Sequence, residues 1–137
     1  MKVDGGCHCG FLKYEADVDP ALAGVCHCTD CQGLSGSPFS GFLPVPRAHF
    51  RLLAGRPKIY VKTAESGNRR AQAFCPECGT RIYASDDSPD PQRFNLRIGT
   101  IRQRAQLAPK IQLWRRSAMP WVTDLASVPS HDRQPPA

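Results

Sequence analysis

Apolar and polar residues alternate along much of this chain. In residues 11–18, Leu12, Tyr14, Ala16 and Val18 fall on one side, and Phe11, Lys13, Glu15 and Asp17 on the other. A period of two predicts a half-buried strand. Pro20 and Gly24 then break the pattern. Residues 25–28 read as extended, and residues 29–37 leave room for one helical turn before Gly36. Residues 39–45 read as a further strand. Residues 49–55 and 57–63 read as a strand pair turning at Gly55 and Arg56. Residues 65–70 form a turn-rich loop. Residues 70–75 and 80–85 read as strands flanking a Cys-Pro-Glu-Cys-Gly turn, the strand–knuckle–strand order of a zinc ribbon. After a loop at 86–92, residues 94–100 and 109–114 read as the last strands. The expectation is an all-β fold, with short antiparallel strands in small sheets. One domain spans residues 1–124, and the proline-rich segment 125–137 is expected to be a disordered tail.

Composition narrows the classes. Glycine and proline together make 24 of 137 residues, which argues against long helices. No apolar run approaches the roughly 18 residues that span a bilayer. The opening residues carry no apolar stretch of the kind a secretory signal needs, so a cytoplasmic location is expected. The formal charge is +6, unevenly placed: residues 47–137 alone carry a net +9. Thirteen of the 18 basic residues are arginine. Such a surface attracts nucleic acid or an anionic small molecule, or is simply solvated. Basic and aromatic residues interleave too thinly for a single-strand platform, so nucleic acid is not the expected partner. Arg69, Arg70, Arg115 and Arg116 are candidate anion contacts. Trp114 and Trp121 are expected to anchor the core. Asp86, Asp87 and Asp90 resemble a solvated acidic turn.

The seven cysteines change the picture most. They fall in three knots: Cys7 and Cys9; Cys26, Cys28 and Cys31; Cys75 and Cys78. Dense thiols in a reducing compartment point to metal or redox chemistry rather than disulfides. Two closed four-thiol sites would need eight. The simplest partition is therefore four plus three. Cys7, Cys9, Cys75 and Cys78 would close a structural zinc site. Cys26, Cys28 and Cys31 would hold a second zinc with one position open, the catalytic pattern. His8 and His27 each lie between two candidate ligands and should point away from the metal. His49 and His131 stand in no motif. Asp30, inside the Cys28–Cys31 loop, is a candidate to support the ligands from behind. The two CxxC units also admit a thiol–disulfide oxidoreductase, but the βαβ setting of such proteins is missing.

The segments GGCHCGFLKYE, CHCTDCQGLSGSPF and FCPECGTRIY, in this order and spacing, resemble the glutathione-dependent formaldehyde-activating enzyme family, which includes the centromere protein V domain. The likeness runs from about Gly5 to about Leu125. It implies a zinc-stapled β fold, a structural zinc on Cys7, Cys9, Cys75 and Cys78, and a catalytic zinc on Cys26, Cys28 and Cys31. Many members carry histidine where Gln112 stands.

The resemblance further implies a carbon–sulfur lyase that joins formaldehyde and glutathione into S-hydroxymethylglutathione, with glutathione or a related thiol–aldehyde adduct as partner. Arg69, Arg70 and Arg97 are candidates for its carboxylates. Three thiolates leave a zinc centre at a formal −1, better suited to holding an incoming thiolate than to making hydroxide. A reading from a different class is a non-catalytic zinc-stapled module that carries thiols or binds protein or nucleic acid. A steep fall in affinity with salt would mark the nucleic-acid version.

Overall fold

The computed structural model describes residues 1–136. Two sheets hold the chain. The smaller is antiparallel and consists of β1 (Lys2–Gly6), β2 (Lys13–Asp17) and β5 (Phe50–Ala54), with β2 central. The larger has seven strands: β3 (Gly24–Cys26), β4 (Ser40–Pro46), β6 (Lys58–Thr63), β7 (Arg69–Phe74), β8 (Arg81–Asp86), β9 (Arg93–Arg97) and β10 (Ile111–Leu113). Their spatial order is β10-β3-β4-β9-β8-β7-β6. All pairs are antiparallel except β10 with β3. Among the described residues there is one α-helix, α1 (Thr29–Ser35), which follows β3. The mostly β fold is as expected, and no helix among the described residues is long and apolar enough to cross a membrane.

The core lies between the sheets and follows the alternation. Leu12, Tyr14, Ala16 and Val18 are all buried, as are Leu43, Val45, Ile82, Phe94 and Leu96 from the larger sheet. Phe50 joins the two layers, with its ring 5.4 Å from Tyr14, 5.7 Å from Tyr83 and 5.1 Å from Phe94. Edge-to-face and tilted contacts of this kind add to plain area burial. The Tyr14 hydroxyl lies 2.9 Å from Thr100 Oγ1, so the buried phenol keeps a partner.

Two expectations are corrected. Residues 49–55 and 57–63 do not pair with each other. β5 pairs with β2 in the small sheet and β6 with β7 in the large one. Gly55, Arg56 and Pro57 therefore form a crossing between layers. Pro57 lacks the N–H that a ladder beside a tight turn would use. Phe50 is held in the aromatic cluster and Arg51 ion-pairs with Glu15 on β2, which commits β5 to the small sheet. Trp114 and Trp121 are not core anchors: they are 43% and 51% exposed. Trp114 sits in the left-handed region (φ 57°), and the Arg116 guanidinium lies 4.9 Å from its ring centroid, a cation–π stack on the surface. The sequence reading also passed over β1, whose Lys-Val-Asp-Gly-Gly offers only one apolar residue.

Gly55 has φ +78°, and a Cβ there would stand 2.4 Å from the Phe11 carbonyl oxygen. Gly67, in the β6–β7 turn, has φ +88° but open space around it. Gly67→Ala should therefore cost only the left-handed strain, about 1 kcal/mol, or a few degrees in melting temperature. Gly55→Ala should cost at least about twice that, because backbone must move. Thermal melts of the two variants check this, and equal melting temperatures would contradict the layer crossing.

Candidate metal centres

The three cysteine knots reach two points in space. The sulfurs of Cys7, Cys9, Cys75 and Cys78 converge, all within 4.8 Å of one another. So do those of Cys26, Cys28 and Cys31. Among the described residues no histidine, aspartate or glutamate joins either group. The four-plus-three division expected from counting is thus the division the fold makes.

The first cluster is built from two turns. In the β1–β2 connection, Cys7 N–H donates to the Leu12 carbonyl (3.1 Å) and Gly10 N–H to the Cys7 carbonyl (3.2 Å). Leu12 N–H points at Cys7 Sγ (3.1 Å). In the β7–β8 connection, Cys75 N–H donates to the Thr80 carbonyl (2.8 Å) and Gly79 N–H to the Cys75 carbonyl (2.9 Å). The N–H groups of Glu77 and Cys78 both point at Cys75 Sγ at 3.4 Å. His8 N–H donates to Thr80 Oγ1 (3.1 Å) and ties one turn to the other. The Sγ–Sγ distances are 3.6 Å for Cys7–Cys9 and 3.8 Å for Cys9–Cys75. A tetrahedron with Zn–S near 2.3 Å has edges of about 3.8 Å. The donor set, its spacing and its N–H···S bonds all fit a thiophilic metal such as zinc. The Thr80 hydroxyl, 3.2 Å from Cys78 Sγ, is the main cause that lowers the Cys78 thiol to about 5.

The second cluster is built where β3 gives way to α1. Cys26 ends β3 and is buried. Cys28 caps α1, its Sγ accepting from the Cys31 N–H at 3.1 Å. The sulfur takes the place of the usual capping oxygen, so one hydrogen bond both starts the helix and fixes a donor. Cys31 lies one turn in. The neighbouring Cys26 thiol is the first cause that lowers Cys31 to about 5, helped by Cys28, the Arg97 charge and the Ser40 hydroxyl. Cys26 is pushed up in turn, first by the adjacent Cys31 and then by burial. Burial also raises Cys28. Metal ligation by these cysteines would require their thiols to give up protons.

The flanking residues sort cleanly. His27 is 1% exposed and stays out of the cluster, with its Nε2 2.9 Å from Gln112 Oε1. His8 stays out as well. Asp30 does not support the sulfurs: it forms an ion pair with Lys62 on β6 at 2.8 Å. Arg69 pairs with Asp87, Arg47 with Asp90 and Arg116 with Glu65, so much of the basic half is answered by nearby carboxylates. The reading by sequence missed Arg81, Ser40, Gln72 and Gln32. Gln32 Nε2 donates to the carbonyls of His27 (2.7 Å) and Ser117 (2.9 Å), holding the C-terminal segment over α1. A lone polar residue on a strand or helix carries no sequence signal of such a role.

Comparison with known proteins agrees. Residues 2–117 match the family model described as glutathione-dependent formaldehyde-activating enzyme. A crystal structure of a Rhodobacter sphaeroides protein superposes with a TM-score of 0.56. The match covers 74% of this chain and 88% of that one, at 20% identity, and it speaks for the fold.

The two clusters should fail differently. Cys75→Ser should lower the melting temperature of the zinc-loaded protein by ten degrees or more, a loss of about 3 kcal/mol or more, because that site ties distant segments together. Cys28→Ser should cost less than about 1 kcal/mol, because the serine oxygen can still cap the helix. Matching melting temperatures would contradict the division into staple and open site.

Proposed function

The chain belongs to the glutathione-dependent formaldehyde-activating enzyme family, and we propose that it is a zinc-dependent carbon–sulfur lyase acting on a thiol–aldehyde adduct of the S-hydroxymethylglutathione type. In the forming direction the thiol sulfur attacks the aldehyde carbon. A C–S bond forms, the C=O π pair moves to oxygen, and the proton given up by sulfur ends on the new hydroxyl. The lyase direction reverses each of these changes.

In this reading Cys7, Cys9, Cys75 and Cys78 hold one zinc, and Cys26, Cys28 and Cys31 hold the other. Zinc at the three-thiolate site would supply a Lewis acid that keeps a substrate thiol deprotonated at neutral pH. The observation that carries the proposal is the count: three converging thiols, and no fourth ligand among the described residues. A closed site is structural, while an open one admits substrate.

The protein's own residues supply the rest. Cys28 and Cys31 are fixed by the helix cap, so the donor positions are set before substrate binds. Gln32 pins the segment around Ser117 against α1, and the Lys62–Asp30 pair pins β6 to the same helix. Aldehydes and thiols combine unaided. The gain must therefore come from proximity and from a thiol already deprotonated, which is what a rigid three-point holder provides.

Exchange NMR with ¹³C-formaldehyde and glutathione checks this. The zinc-loaded protein should speed interconversion of formaldehyde hydrate and S-hydroxymethylglutathione in proportion to its concentration. Cys28→Ser should lower that rate about a hundredfold or more while the fold is kept. Exchange no faster than in buffer would contradict the proposal. Salt-sensitive nucleic-acid binding in its place would favour the binding-module reading.

A further inference from the structure

A cavity lies on the other side of the strand that carries Cys26. Successive residues of a strand point to opposite faces. His27 continues the ladder of β3, its N–H donating to the Leu113 carbonyl on β10 at 2.9 Å. Val25 and His27 therefore share one face, and Cys26 between them takes the other. Both line a cavity of about 460 Å³, together with Phe39, Ile111, Gln112 and Val122. That volume falls within the range of small-molecule sites, about 300–1,000 Å³. Among the described residues no cysteine lines it, so it is separate from both metal centres.

One polar atom of a residue in this wall has nothing to bond. His27 is 1% exposed, and its Nε2 lies 2.9 Å from Gln112 Oε1. A carbonyl oxygen only accepts, so Nε2 carries a proton, and in the neutral ring Nδ1 is left as an acceptor. Nδ1 is buried and has no hydrogen-bond partner among the described residues. A buried polar atom in that state is costly. The rest of the wall is mostly apolar. Phe39 meets the imidazole edge-on, with centroids 5.6 Å apart. Phe39 and Ile111 still expose 37% and 51% of their surface, which an apolar body seated there would cover. Among the described residues Lys110 is the one charged group of the wall. It repels an ammonium, and a carboxylate has no proton to give Nδ1. A neutral hydroxyl meets both conditions.

We propose that this cavity is a binding site for a small alcohol, whose apolar body covers Phe39 and Ile111 and whose hydroxyl donates to His27 Nδ1. The acceptor is fixed before a ligand arrives. The His27 N–H is held by Leu113, its carbonyl by Gln32 Nε2 at 2.7 Å, and its Nε2 by Gln112. Such preorganisation lowers the cost of binding. A water alone would satisfy Nδ1 but leave the apolar wall uncovered, and buried waters favour sites with about two to four polar partners. The site uses no cysteine, so it stands or falls independently of the lyase reading.

NMR titration of the zinc-loaded, ¹⁵N-labelled protein with benzyl alcohol and with toluene tests this. The two probes share the ring and its attached carbon and differ in the hydroxyl. Benzyl alcohol should bind saturably, with shifts centred on Val25, Phe39, Ile111 and Val122, and should move the His27 Nδ1 resonance. Toluene should bind about fivefold more weakly, the scale of one neutral hydrogen bond. His27→Phe keeps an aromatic ring and should erase that difference. Val122→Trp fills the cavity from a partly exposed position and should abolish binding of both probes. It stays informative where His27→Phe fails to fold. Equal binding of the two probes by the wild type leaves only an apolar patch and overturns the site. Binding that survives Val122→Trp, or shifts centred elsewhere, puts the alcohol outside the cavity and overturns it too. No saturable binding of benzyl alcohol also overturns it. The lyase reading is decided separately, by its own exchange assay.

Discussion

The convergence of four sulfurs from the two ends of the fold is the constraint on which the rest depends. Cys9 and Cys75 lie 66 positions apart, yet their sulfurs are 3.8 Å from each other. One pair comes from the β1–β2 turn of the small sheet and the other from the β7–β8 turn of the large one. The two layers meet through a modest core, with Phe50 as the main aromatic bridge. A chain rich in glycine and proline has few long elements to reinforce that contact. A metal on the four thiols would close a long loop and couple binding to folding. The N–H groups aimed at Cys7 and Cys75 show how the backbone prepares for this: the turns are already shaped around sulfur as acceptor.

With the layers fixed, the second cluster is free to remain incomplete. It sits where a short strand ends and a helix of two turns begins, and its middle cysteine is the helix cap. A fourth ligand would have to come from a neighbour, and the neighbours are committed elsewhere. His27 is turned toward Gln112 and Asp30 toward Lys62. Ser40, Arg81 and Arg97 gather on the remaining side. The open position and the cationic wall thus arise from the same local folding.

The parts legible in the sequence were those with a period or a count. The alternation at 11–18 foretold a buried row at Leu12, Tyr14, Ala16 and Val18. The three cysteine knots foretold two clusters, because tetrahedral sulfur coordination needs local bunching. Pairing partners were less legible. Residues 49–55 and 57–63 look like a hairpin to any local rule, but Phe50 and Arg51 find better partners on other strands. Trp114 and Trp121 show the same limit: size and apolarity suggest burial, and only the surface course of the chain shows otherwise. The role of Arg81 was invisible for the opposite reason. Its hydrogen-bond partners, Gln72 and Ser40, come from other strands, and no local pattern in the sequence brings them together.

The central claim is that four thiols close one zinc site and three leave the other open to a thiol. The most direct measurement is the native mass of the protein after zinc reconstitution, with and without glutathione. The account predicts two zinc ions, and one glutathione retained without a disulfide. A mass with a single zinc, or two zincs that never retain glutathione, would contradict it.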